Sequence, residues 1–171
     1  MSYNLEPLKV LIVDDNKHMH QILRSILTAM RIKQIRTVDD AAEAFNEMRN
    51  WPPDLIITDL AMDLLDGLEF VRLVRNGNDS PNPYVPIIML TGHTELFRVK
   101  EARESGVNEI LAKPVSIQGI YKRIIGIVAS PRPFIRTTTY FGPCRRRAQR
   151  PFKGEDRRLN AMEPENADSA A

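Results

Sequence analysis

Cysteine is nearly absent from this chain: Cys144 stands alone among 171 residues. A single thiol excludes an intramolecular disulfide and a cysteine-rich zinc site. It fits a compartment that keeps thiols reduced, so a cytoplasmic location is expected. Long hydrophobic runs are missing too. None approaches the roughly 20 residues a membrane span needs, and no membrane partner is expected. Residues Met1 to Glu6 lack a basic segment followed by an apolar one, so nothing there reads as an export signal. Histidine occurs three times. His18 and His20 lie two apart in a helical stretch and do not face one another, which argues against zinc there.

What remains is a soluble composition, 43% hydrophobic and 27% charged, enough for one ordinary domain and a tail. The net charge of +2 hides an asymmetry. Residues 1–129 carry 15 basic and 17 acidic side chains, and residues 130–171 carry nine and five. A slightly acidic body thus precedes a basic tail, a distribution that suggests an anionic partner for the tail or a simply solvated one.

Short apolar runs alternate with helical stripes five times in about 125 residues. Leu8 to Val13, Ile32 to Val38, Asp54 to Thr58, Ile87 to Leu90 and Glu109 to Ala112 read as strands. Between them, Met19, Ile22, Leu23, Ile26, Leu27 and Met30 mark one helical face. Asp39 offers a cap for a helix carrying Ala41, Ala44, Phe45 and Met48, which Trp51-Pro52-Pro53 stops. A third helix carries Leu68, Val71, Leu73 and Val74, a fourth closes at Gly106, and Ile117 to Val128 make the last stripe. Strands apolar on both faces, joined by helical crossovers, predict a parallel sheet covered on both sides.

Each chemically distinctive residue falls where a strand ends: Asp14 and Asp15, Asp59, Thr91 and Lys113. In an open α/β sheet, ligands bind at that edge. Three converging carboxylates repel one another unless a hard divalent cation joins them. Mg2+ suits, because it takes one or two carboxylates plus water and phosphate oxygens. A carboxylate in that setting is a nucleophile toward a phosphoryl donor, with an ammonium and a hydroxyl to neutralise the phosphoryl oxygens.

With these residues in this order, the chain resembles the response-regulator receiver family of two-component signalling. The resemblance covers about residues 7–129 and rests on Val13-Asp14-Asp15-Asn16, Thr58-Asp59 with Met62 and Asp66-Gly67, Leu90-Thr91-Gly92, and Ala112-Lys113-Pro114. It implies a flavodoxin-like, doubly wound five-stranded parallel sheet in the order 2-1-3-4-5. It implies Asp59 as phosphoacceptor, Thr91 as switch hydroxyl and Lys113 as the phosphoryl-pairing lysine. Mg2+ would be held by Asp14, Asp15, Asp59 and the backbone carbonyl of Ala61, with Asp15 rather than Asp14 expected as the direct ligand of the acidic pair. The implied partners are a sensor histidine kinase or histidine phosphotransfer protein upstream and a protein target downstream.

Four positions depart from the family pattern. Ala61 and His93 stand where residues set the phosphoryl lifetime, Asp63 stands where proline is common, and Ile110 replaces a switch aromatic.

Residues 130–171 are expected to form a basic tail, disordered or docked. Phe134 to Phe141 reads as extended, with a turn at Gly142-Pro143. The tail is too short for a helix-turn-helix output domain. A stand-alone regulator is therefore the leading reading. The alternatives are a receiver-fold scaffold whose Arg145-Arg146-Arg147 cluster holds nucleic acid or another anion, and a small phosphatase.

Overall fold

The computed structural model describes residues 3–63, 65–92, 96–146 and 160–162. Five parallel strands form the central sheet: β1 (Lys9–Val13), β2 (Gln34–Val38), β3 (Leu55–Asp59), β4 (Ile87–Thr91) and β5 (Glu109–Ala112). Their order is β2-β1-β3-β4-β5, as the family resemblance implies. The crossovers are α1 (Lys17–Ala29), α2 (Ala41–Asn50), α3 (Gly67–Asn76) and α4 (Leu96–Ser105), and α5 (Ile117–Ala129) follows β5. Strands β3 and β4 are buried at every position, whereas the edge strand β2 is largely open.

Alternating strand residues feed two cores. Leu11, Val13, Ile56, Ile87 and Met89 pack on one face with Met48, Phe70, Val71 and Val74. Val10, Ile12, Ile57, Ile88 and Leu90 pack on the other with Leu23, Leu27, Ile120 and Ile124. Burial of such side chains stabilises by about 1.5–3 kcal/mol each before entropy is charged.

Local chemistry fixes the helix starts. The Asn16 side chain accepts from the His18 and Met19 amides, Asp66 from Glu69, and Ser116 from Gly119. For α2 the cap is Asp40, not Asp39. Asp39 instead pairs with Lys17 across the α1 start. Two helical stripes also rotate from the expected phase. Leu73 is exposed while Phe70 and Arg75 are buried, and on α5 Ile120 and Ile124 face inward while Ile117, Tyr121 and Val128 face out.

Residues after α5 return to the body as a hairpin. Strand β6 (Phe134–Arg136) pairs antiparallel with β7 (Phe141–Pro143), and β8 (Asn160–Met162) lies on the other side of β6. The reversal falls at Thr137 to Tyr140, where the Thr137 amide donates to the Tyr140 carbonyl at 2.8 Å. Gly142-Pro143, expected as the turn, is strand. Arg147, Arg150 and the acidic last nine residues lie outside the described residues.

Candidate functional site

The parallel sheet brings the carboxyl ends of β1, β3, β4 and β5 to one edge, and the residues singled out from the sequence meet there. Asp59 ends β3 almost completely buried, and one of its oxygens, Oδ2, sits 2.9 Å from the Lys113 ammonium. Its Oδ1 accepts from the Leu60 amide at 2.9 Å. Charge-assisted contacts of this kind are the stronger class of hydrogen bond. Lys113 follows β5, its amide donates to the Thr91 carbonyl at 2.8 Å, and its bond to Pro114 is cis. Thr91 is buried at the end of β4.

Asp14 is fully buried. Its Oδ1 accepts from the Asn16 amide at 2.8 Å, and its Oδ2 meets no hydrogen-bond donor among the described residues. Burial pushes its carboxyl above the ordinary value, offset in part by the Asn16 amide; Asp59 raises it further, while Lys113 and His20 oppose. Asp15, by contrast, is exposed, and its Oδ2 accepts from the Asp63 amide at 3.0 Å. Asp63 thus ties the loop after β3 to the acidic pair through its backbone and is itself exposed. Ala61, whose carbonyl was expected at a metal, is exposed on that loop.

Gly67 explains its place in the motif. A Cβ there would lie 2.1 Å from the Asp59 carbonyl oxygen, so the start of α3 passes against the strand end only because the side chain is missing.

The donor set fits a hard cation with an open coordination sphere. Asp14 presents a buried oxygen without a partner, next to a second carboxylate in Asp59. Among the described residues, no three His, Cys, Asp or Glu side chains close into a complete metal cage. Mg2+ does not need one, since it retains several waters and uses one or two carboxylates. His20 was not singled out from the sequence for this site. It is buried, and its Nδ1 lies 3.9 Å from Asp39 Oδ1. Its place one turn into α1, on the core side, is the signal that could have found it. His93 lies outside the described residues. Ile110 is half-buried against the core face that holds Met89.

No helix among the described residues is long and apolar enough to cross a membrane. The response regulator receiver domain family model matches residues 10–125. A CheY relative from Rhizobium etli is 34% identical over 113 residues, covering 66% of this chain and 86% of its own. The solved chemotaxis protein CheY4 of Vibrio cholerae superposes with a TM-score of 0.62 at 31% identity, over 68% of this chain and 95% of its own. The receiver domain of the sensor histidine kinase PA1611 from Pseudomonas aeruginosa shares the fold, with a TM-score of 0.63 at 24% identity over 72% of this chain and 98% of its own. That structure was solved with magnesium in its active-site cleft. Sheet order, the acidic edge and the family match agree, and the chain belongs to the response-regulator receiver family of two-component signalling.

Proposed function

We propose that this chain is a response-regulator receiver that accepts a phosphoryl group on Asp59 and signals by binding a protein partner in its phosphorylated state. The observation that carries the reading is the buried Asp59 carboxylate, held 2.9 Å from Lys113 beside the unpartnered oxygen of Asp14. An Asp59 oxygen attacks phosphorus and forms the new O–P bond. The N–P bond to the donor histidine breaks, and the leaving imidazole takes up a proton. Lys113 balances the negative charge gathering on the transferred group, and the Thr91 hydroxyl offers a hydrogen bond to it. Asp14, Asp15, Asp59 and the Ala61 carbonyl would hold Mg2+, which when bound neutralises phosphoryl-oxygen charge. The donor is a histidine kinase or a histidine phosphotransfer protein.

Incubation of the full chain with Mg2+ and a small phosphodonor should add one phosphoryl mass, and Asp59→Asn should remove it. An adduct that persists in the Asp59→Asn protein, or none with any donor, rejects the assignment. Repeated turnover on phosphomonoesters would instead favour a phosphatase.

A further inference from the structure

One hydrogen bond crosses the acidic edge of the sheet from strand end to loop. The Asp63 amide donates to Asp15 Oδ2 at 3.0 Å, and the two residues lie 48 apart in the chain. The neighbours of Asp15 are held locally: the Asn16 amide donates to Asp14 Oδ1 at 2.8 Å, and the Asn16 side chain caps α1. Asp15 has no such local anchor. It is exposed, and among the described residues the Asp63 amide is the donor its carboxylate meets, with none at Oδ1.

The loop that carries this amide is itself tied down. The Leu60 amide donates to the Leu90 carbonyl at 2.9 Å, and the Gly67 amide closes on the Leu60 carbonyl at 2.9 Å. Met62 and Leu65, on either side of Asp63 in the chain, pack against the core. Asp63 is exposed between these two anchors. What reaches Asp15 is the Asp63 backbone. Proline, common at this place in the family, has no amide hydrogen and could not make the bond.

We propose that Asp63 is a positioning residue of the metal site, acting through its backbone N–H. The bond holds an exposed and otherwise unrestrained carboxylate in one orientation. It engages Oδ2 and leaves Oδ1 for a divalent cation. It also holds the end of β1 to the loop whose Ala61 carbonyl would be a further ligand, so both segments are together before the cation arrives. A hydrogen bond to a carboxylate is charge-assisted. Partners that orient a metal-ligating group typically carry about 10–100-fold of the metal affinity. The Asp63 carboxylate contributes less, because it is exposed and salt screens it. This role rests on the proposed Mg2+ site at Asp14, Asp15 and Asp59.

The test separates the N–H from the carboxylate in the full chain. Asp63→Ala keeps the amide and removes the charge, whereas Asp63→Pro removes both. A third protein carries lactic acid at position 63, the α-hydroxy counterpart of alanine. It differs from Asp63→Ala only by an ester oxygen in place of N–H, and it keeps the test open if the proline variant fails to fold. Mg2+ alone is titrated by calorimetry and followed at the Asn16 and Leu60 amide resonances. Asp63→Ala should stay within about twofold of the parent dissociation constant at physiological salt. The proline and ester proteins should bind about tenfold more weakly. Both should need about tenfold more Mg2+ for half-maximal Asp59 adduct formation, yet come within about twofold of the parent rate at saturation. A merely structural role would lower the saturated rate as well. Equal Mg2+ binding by the ester and alanine proteins overturns the proposal. So does an Asp63→Ala variant as weak as Asp63→Pro, which would assign the effect to the carboxylate. A parent that binds no Mg2+ overturns the metal site itself, an outcome distinct from these two.

Discussion

At the carboxyl ends of the strands, Asp14 keeps a buried oxygen with no donor among the described residues, and Asp59 relies on one lysine and one amide. The amino ends of β4 and β5 are finished in the opposite way. There Arg75 is buried at the end of α3, yet it donates to the Pro83 carbonyl at 2.7 Å, the Gly106 carbonyl at 2.9 Å and Asn108 Oδ1 at 3.2 Å. The Phe134 ring of the hairpin covers it, 5.0 Å from the guanidinium carbon to the centroid. Burial pushes the Arg75 guanidinium down to about 9, so it stays a cation at neutral pH. Both ends bury charge. One satisfies it with fixed neutral acceptors and becomes structure, and the other leaves it short of partners, as the proposed cation and phosphoryl chemistry requires.

The sharpest way to break this comparison is to cut into the satisfied end. Phe134 is buried against Arg75, Tyr84 and Phe141, with ring centroids 5.2 and 5.7 Å away for the two aromatics. Phe134→Ala should lower stability by about 3–5 kcal/mol in urea denaturation. The initial rate of Asp59 adduct formation in the folded protein should not change. A loss below about 1 kcal/mol would mean that the hairpin lies on the surface without stabilising it.

The same contrast explains what the sequence could disclose. The site was legible because each of its residues closes a strand whose apolar run can be read on its own. Parallel pairing then forces those ends together. The hairpin was not legible in that way, since β6 and β7 are only three residues each and take their burial from α3, Tyr84 and Gly106. Gly142 shows how close this packing is: a Cβ there would lie 2.8 Å from the Gly106 Cα. Nothing in the sequence singles out Arg75, and the covering hairpin makes it core. The Asp39–Asp40 choice was equally hidden, because two adjacent aspartates cap equally well and the distant Lys17 decides between them.

A cut at the unsatisfied end should register in chemistry first. Lys113→Ala removes the cation beside Asp59 and should slow adduct formation about 10²–10³-fold, as loss of a positioned charge-stabilising donor does elsewhere. The unfolding midpoint should fall as well, because Asp59 then stays buried beside Asp14 without a counter-charge. A rate within threefold of the parent, measured by mass spectrometry at saturating Mg2+, would show that the lysine does not assist the transfer.

The smallest effect should carry the opposite sign. Asp14→Asn keeps an acceptor for the Asn16 amide and removes a charge that burial and Asp59 both disfavour. With chelator present at neutral pH, the variant should be more stable than the parent by about 1 kcal/mol, the usual size of a gain made by relaxing a functional site. The sign follows from linkage. A carboxyl whose folded value is raised costs nothing below its ordinary value of 3.8 and destabilises the fold as pH rises through the folded value. The stability gap between variant and parent should therefore close near pH 3.5 and open toward pH 7. Added Mg2+ should reverse it, since binding at Asp14 stabilises only the parent. A gap that ignores both pH and Mg2+ would place the Asp14 carboxylate among the satisfied groups and erase the difference between the two ends of the sheet.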